Sequence, residues 1–172
     1  ALDGPPAGFR FDATHLPHIT LVQQFLHKDR FDELTAAINS LLLGVTPIEL
    51  STTTVTTGRT ASILTVVSES LVDLHRRLME RLEFFEITKG SGEAFYADEE
   101  EPRPADVEWV TRYRTRSSNG SYQPHVTLGI GTVSVAVEPL RFTATQVAVC
   151  HLGRFCTCRA VLHDWTLTGC RV

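Results

Sequence analysis

A short motif occurs twice in the chain, and it constrains the fold more than any other feature. Leu-Pro-His-Ile-Thr-Leu occupies residues 16–21, and Gln-Pro-His-Val-Thr-Leu occupies residues 123–128. In an extended chain, residues i and i+2 lie on the same face, so each copy places one imidazole beside one hydroxyl and turns two aliphatic side chains the other way. The two histidines are 107 residues apart. We therefore expect two matched strands from the two halves of one domain.

The remaining sequence predicts helices and strands joined by short connections. Apolar residues recur at helical spacing in three segments, and β-branched runs bounded by turn residues indicate strands. The elements predicted in chain order are a strand over 18–25, a helix from an Asp29 cap to a left-handed Gly44, a hairpin of 48–57 and 63–67, a helix over 69–85, a loop over 89–104, a helix over 105–116, a strand at the second motif, and strands over 144–152 and 159–167. This order favours an α+β fold with helices outside the sheets.

Composition sets limits on the ligand. The 172 residues are 42% hydrophobic and 21% charged, which is typical of one globular domain over 1–172. No apolar run approaches the roughly 20 residues needed to span a bilayer, so no membrane partner is expected. The formal net charge of −4 argues against extended duplex nucleic acid, whose binding depends on neutralised phosphates. A nucleotide or an RNA end needs only a few donors and remains compatible.

The cysteines all fall in the last quarter of the chain, at Cys150, Cys156, Cys158 and Cys170. No secretion signal is recognisable, so we expect reduced thiols and a cytoplasmic, reducing location. An alternative is a metal site in which the Cys156–Cys158 pair is joined by His151 or His163. The single residue between those cysteines does not match the usual zinc spacing.

The duplicated motif indicates acid–base chemistry. His18 and His125 can adopt different protonation states at one pH, because imidazole titrates near neutrality. In-line displacement at phosphorus without a metal needs one base for the attacking water and one acid for the departing oxygen. Thr20 and Thr127 can donate hydrogen bonds to the phosphate oxygens as negative charge builds up. A third ligand would turn the histidines into a metal site, but no Asp or Glu accompanies either motif.

These motifs, His-Ile-Thr-Leu and His-Val-Thr-Leu, resemble those of the two-histidine (2H) phosphoesterase superfamily, which includes RNA 2′,5′-ligase-like and cyclic nucleotide phosphodiesterase proteins. The Tyr-x-Pro lead into the second motif is also similar to that of many relatives. The resemblance implies a bilobal α+β fold with pseudo-twofold symmetry, in which two antiparallel sheets flank a central cleft and helices lie outside. It further implies cleavage or transfer at a phosphodiester, typically a 2′,3′-cyclic phosphate or a 2′–5′ linkage, with no cofactor and no metal.

Further residues are candidates for substrate binding. Tyr122 precedes the second motif and could stack on a base or donate to a phosphate, or it could serve in packing. Arg154 and Phe155 follow a predicted strand end, where a cation and an aromatic ring suit a single-stranded ligand. Arg112 and Arg116 share a helix face that we interpret as solvated. His15 is expected on the face opposite His18, and we predict surface positions for His27, His75 and His163.

Three functional hypotheses follow. The first is a metal-independent phosphodiesterase with His18 and His125 as general acid and base. The second is a nucleotide-binding module of the same fold without turnover, and the third is a metal-dependent hydrolase that uses the histidines and the late cysteines. The expected partner is a nucleotide or RNA end that carries a cyclic phosphate or a 2′–5′ linkage, and the expected state is a monomer.

Overall fold

The two motifs belong to an α+β structure that contains two antiparallel sheets. The structure, a computed structural model, describes residues 15–57, 61–97, 101–130 and 138–169. Its α-helices and strands within those ranges are α1 (Phe31–Leu42), β1 (Ile48–Thr57), β2 (Ala61–Val67), α2 (Glu69–Leu82), α3 (Pro104–Arg116), β3 (His125–Ile130), β4 (Arg141–Ala144), β5 (Gln146–Leu152) and β6 (Cys158–Thr166).

The larger sheet has the strand order β3-β2-β1-β4, and the smaller sheet is the β5–β6 hairpin. All neighbouring strands are antiparallel. The chain leaves the larger sheet at Ala144 and enters the smaller one at Gln146, so a single residue separates the two sheets along the sequence. The predicted α+β class with two antiparallel sheets is confirmed, although the described sheets are unequal in size.

The apolar periodicity of α2 explains how the helices pack. Ser68 caps this helix, since its Oγ accepts a hydrogen bond from the Leu71 N–H at 3.4 Å. One face of the helix is buried, in agreement with the predicted helix, and the turn from Glu83 to Phe85 completes it as a 3₁₀ turn. That face joins α1 and the larger sheet in a core that includes Leu34, Ile38, Ile48, Leu50, Val66, Leu71, Leu74, Leu78, Leu82 and Phe85.

The segment that carries the first motif differs from its prediction. A continuous strand over 18–25 is wrong, because this segment makes only isolated bridges, Ile19 with Val126 of β3 and Phe25 with Ile87. Just before it, the Leu16 N–H donates to the Cys158 carbonyl at 3.2 Å, at the start of β6. The segment therefore lies between the two sheets and contacts both.

The ends of α1 and the strand β4 also differ in part from the sequence-based prediction. Asp29 does not cap α1, because it lies inside the 3₁₀ turn Lys28–Arg30 and the cap position is Arg30. Gly44 has the left-handed conformation that was predicted, with φ of 78°. The short strand β4 was not predicted separately. No helix in the described ranges is long and apolar enough to cross a membrane.

A second apolar cluster, formed by Phe25, Phe95 and Val110, lies on the α3 side of the first-motif segment. The Phe25 and Phe95 rings meet edge to face with centroids 5.9 Å apart. Gly90 packs directly against the Phe25 ring, and a β-carbon at this position would overlap three of the ring atoms. Position 90 therefore requires glycine, because the Phe25 ring leaves no room for a side chain.

We predict that Gly90→Ala destabilises the fold by about 1–3 kcal/mol, because the added methyl group overpacks a buried aromatic ring. Gly120→Ala is the matched control, since a β-carbon there meets no atom within 4 Å. Urea denaturation of both variants measures the difference. Equal unfolding midpoints for the two variants would contradict the packing at Phe25.

Candidate active site

The two motifs line one cavity. The bridge between Ile19 and Val126 sets the first motif beside the second. His18, Thr20, His125 and Thr127 all line a cavity of about 420 Å³. The structure therefore brings together the four motif residues to which the sequence analysis assigned proton transfer and phosphate binding.

The two imidazoles are oriented by the same local hydrogen bond. Nδ1 of His18 lies 2.8 Å from the Leu16 carbonyl oxygen, and Nδ1 of His125 lies 2.7 Å from the Gln123 carbonyl oxygen. Each acceptor is two residues earlier, with a proline between. Because a carbonyl can only accept, Nδ1 carries the proton and donates in both rings. Nε2 is then the nitrogen of each ring that can exchange a proton with a ligand.

The pKa of His18 lies below the usual value for a histidine, mainly because the side chain is buried. Desolvation lowers the pKa of His18, the hydrogen bond to the Leu16 carbonyl raises it by less, and the nearby His125 lowers it further. The electrostatic contribution of His125 reflects the proximity of the two rings. His18 is consequently biased towards the neutral form.

Tyr122 lines the same cavity, but its hydroxyl proton is already engaged in a hydrogen bond within the protein. Its hydroxyl donates to the Thr20 carbonyl at 2.9 Å. Its ring stacks on His75 with centroids 3.7 Å apart and an interplanar angle of 6°. Burial raises the pKa of Tyr122, so the side chain remains a phenol. Tyr122 thus links the second motif to the backbone of the first.

Phe155 reaches the cavity from an unusual turn between β5 and β6. Phe155 and Cys156 have φ of 61° and 55°, a left-handed conformation that is costly for residues other than glycine. The Phe155 N–H donates to Asp106 Oδ2 at 3.2 Å, and the Arg103 guanidinium lies 3.9 Å from the ring centroid. Arg154, in the same turn, is not among the residues that line the cavity.

Asp106 joins this turn to the start of α3. The carboxylate is buried and accepts hydrogen bonds from the Arg103 backbone and guanidinium, the closest at 2.5 Å. Burial alone would raise the pKa of Asp106, but the bonds from Arg103 and from the Phe155 N–H outweigh it and hold the pKa below its usual value. The negative charge therefore persists and stabilises the left-handed turn.

Sequence reasoning missed three residues near the site. Trp109 of α3 is half exposed and lines the cavity, and its Nε1 donates to Gln23 Oε1 at 2.8 Å. His15 also lines the cavity, because the irregular first segment does not keep strict alternation. The surface position predicted for His75 is wrong, since the side chain is 0% exposed. Its helical spacing from Leu71 and Leu78 was the available signal.

The remaining polar candidates lie elsewhere. Arg112 is exposed and pairs with Glu108 at 3.0 Å, while His27 and His163 are exposed as predicted. Free thiols are present at Cys150, Cys156 and Cys158, as predicted, and Cys170 lies outside the described residues. The Cys156 thiol approaches the Asp106 carbonyl at 3.7 Å, whereas the Cys158 thiol is hydrogen-bonded to the Cys150 thiol.

No group of three or more His, Cys, Asp or Glu side chains is placed to hold a metal ion within residues 15–57, 61–97, 101–130 and 138–169. Cys156 and Cys158 contact different partners and do not converge with His151 or His163. His151 instead makes a hydrogen bond with the Ala94 carbonyl at 2.8 Å, and His163 packs against Trp165.

Comparisons with known proteins agree with this fold. A family model described as the 2′-5′ RNA ligase superfamily matches residues 7–151, which include both motifs. The chain also resembles the crystal structure of TT0787 of Thermus thermophilus, with a TM-score of 0.54 and 15% identity, over 88% of this chain and 78% of that one. No curated protein matches significantly.

The chain belongs to the 2′-5′ RNA ligase superfamily of 2H phosphoesterases. This membership covers most of the chain and both histidine motifs. It supports an enzyme of the phosphoesterase or RNA ligase type.

We predict that the NMR titration midpoint of His18 lies below 6.5 and moves upward in His125→Asn. Removing the second imidazole removes the electrostatic contribution that lowers the pKa of His18, while burial, the larger cause, remains. The shift should therefore be partial. His163→Asn, at an exposed position on β6, is the control and should leave His18 unchanged. An unmoved His18 midpoint in His125→Asn would show that the two rings do not interact.

Proposed function

We propose that this protein is a metal-independent phosphodiesterase that acts on 2′,3′-cyclic phosphates or 2′–5′ linkages of nucleotides or RNA ends. His18 and His125 act as the general base and general acid, and Thr20 and Thr127 donate hydrogen bonds to the phosphate oxygens. The observation that carries the proposal is the pair of imidazoles that line one cavity, each with Nδ1 bonded to the carbonyl two residues earlier and Nε2 left for the ligand.

This arrangement suits displacement at phosphorus. One neutral Nε2 accepts the proton of the attacking water or hydroxyl, and one protonated Nε2 delivers a proton to the departing ribose oxygen. The roles exchange in the reverse direction, so the same pair serves cleavage or ligation. The carbonyls of Leu16 and Gln123 fix the tautomer of each ring, which removes the need to select it during the reaction.

The lowered pKa of His18 indicates which histidine is the general base and which is the general acid. A base must be neutral before the reaction, and burial favours the neutral form of His18. We therefore assign the base to His18 and the acid to His125 in the cleavage direction. The cavity is lined by no Lys or Arg among the described residues, so a protonated imidazole is the cation that faces the phosphate.

Two aromatic side chains support a nucleotide as the ligand. Trp109 of α3 and Phe155 of the β5–β6 turn both line the cavity with the histidines. Base stacking on such rings contributes about 1–3 kcal/mol per base and tolerates any sequence. Tyr122, whose hydroxyl already bonds to the Thr20 carbonyl, supports the motif and keeps its lone pairs for a ligand. Arg154 stays a predicted substrate contact that the cavity geometry does not favour.

Replacing either His18 or His125 by Ala should lower kcat for 2′,3′-cyclic nucleotides by about 10²–10⁴-fold, because each removes one proton-transfer group. The double variant should be little worse than either single one, since the two groups act as a unit. The wild-type rate should trace a bell against pH whose two limbs belong to the coupled pair. EDTA should have no effect, and a loss of activity restored by a divalent metal would favour the metal-dependent hydrolase instead.

Thr20→Val and Thr127→Val should each reduce kcat less, by about 1.5–3 kcal/mol of transition-state stabilisation, because each removes one hydrogen bond to a charged oxygen. Thr143→Val on β4 is the control, as its hydroxyl donates to Glu49 at 2.6 Å on the exposed surface. Calorimetric binding of the substrate without turnover by the wild-type protein would instead support the nucleotide-binding module.

A substrate with a 4-nitrophenolate leaving group separates the acid from the base. This leaving group departs without a proton, so the general acid becomes dispensable. On a nucleoside 3′-(4-nitrophenyl phosphate), His125→Ala should retain most of the wild-type rate, whereas His18→Ala should remain impaired. The opposite pattern would reverse the assignment of the two roles.

A further inference from the structure

The first-motif segment is held mainly by side chains. Between its bridges at Ile19 and Phe25, the carbonyls of Thr20 and Leu21 accept hydrogen bonds from side chains that other elements supply. Tyr122 donates to the Thr20 carbonyl at 2.9 Å. The Leu21 carbonyl accepts from Tyr113 at 3.3 Å and from His75 at 2.6 Å. The position of Thr20 and of the adjacent His18 therefore depends on these donors.

His75 also bonds to the approach to the second motif. Its Nε2 accepts the Asn119 N–H at 2.9 Å, in the turn that leads to His125. One ring nitrogen thus faces an acceptor and the other faces a donor. Only the neutral ring with the proton on Nδ1 satisfies both partners. A single buried imidazole on α2 therefore connects the two halves of the site.

We propose that neutral His75 is a positioning residue, which sets the separation of the two catalytic motifs by binding the Leu21 carbonyl on one side and the Asn119 N–H on the other. It lies outside the cavity and does not contact the reacting phosphate. The kinetic part of this proposal rests on the proposed phosphodiesterase function, while the structural part does not.

The surroundings of His75 maintain the required protonation state. Burial lowers the pKa of His75, the Leu21 carbonyl raises it by less, and the Arg114 guanidinium of α3 lowers it further. Arg114 is itself paired with Glu86 and bonded to the Met79 carbonyl at 2.7 Å. The third neighbour is the Tyr122 phenol, stacked on the ring. A protonated His75 would turn an N–H towards the Asn119 N–H and lose that bond.

His75→Phe tests the proposal, because it keeps an aromatic ring against Tyr122 and removes both hydrogen bonds. We expect kcat to fall by about 10–100-fold, the size of effect that misplacement by about 1 Å produces. KM should stay within about threefold, because the lost interactions act on alignment in the transition state. His163→Phe, which keeps an aromatic ring beside Trp165 on the exposed face of β6, is the matched control and should behave as wild type.

Two further variants each retain one of the two hydrogen bonds of His75, and they keep the proposal testable if His75→Phe does not fold. His75→Asn can present an amide donor near the Nδ1 position, and His75→Gln an amide acceptor near the Nε2 position. Each should fall between wild type and His75→Phe in kcat. A folded His75→Phe protein with wild-type kcat would overturn the proposal, as would Asn and Gln variants that both match wild type.

A measurement on the wild-type protein needs no activity. Nitrogen-15 NMR should show His75 as the Nδ1-protonated neutral tautomer, with no titration near 6.5, and a slowly exchanging Asn119 amide. A His75 ring that titrates like a free imidazole would overturn the proposal. If the wild-type protein turned over no cyclic or 2′–5′ substrate, the proposed function would fail, and the NMR result would still decide the role of His75.

Discussion

The two motif segments meet at a backbone bridge between Ile19 and Val126, and the rest of the site is built around that contact. A single bridge fixes where two chains meet, but it does not fix their direction or the rotation of their side chains. A typical intramolecular hydrogen bond contributes only about 0.5–1.5 kcal/mol net. The geometry of the cleft is therefore distributed over several short contacts, among them the Leu16 N–H on β6 and the side-chain donors on the Thr20 and Leu21 carbonyls.

The features that could be predicted from the sequence are those governed by local geometry. In the second motif, the placement of imidazole beside hydroxyl follows from the i, i+2 alternation of β3. The α2 helix could be predicted because leucines repeat along one face, and Gly44 because a left-handed helix end favours glycine. These inferences required no knowledge of which segments meet in space.

The features that were missed depend on contacts distant in sequence. The first motif is not a regular strand, because the carbonyls that a ladder would use accept from Tyr113, Tyr122 and His75. The helical spacing of His75 indicates burial, but its hydrogen-bond partners, Leu21 and Asn119, lie 54 and 44 residues away and could not be predicted from the sequence. The β4 strand is short and mostly exposed, so no burial pattern marked it.

The hydrogen bonds that the Asp106 carboxylate accepts from Arg103 and from the Phe155 N–H join the start of α3 to the β5–β6 turn. Trp109 and Phe155 extend from these two elements into the cavity, whereas the two motif histidines are oriented by the carbonyls two residues before them. The aromatic side chains and the two imidazoles that line the cavity are thus held by separate sets of hydrogen bonds. Under the proposed function, substitutions on α3 and on the β5–β6 turn are expected to alter ligand selectivity without moving the two histidines.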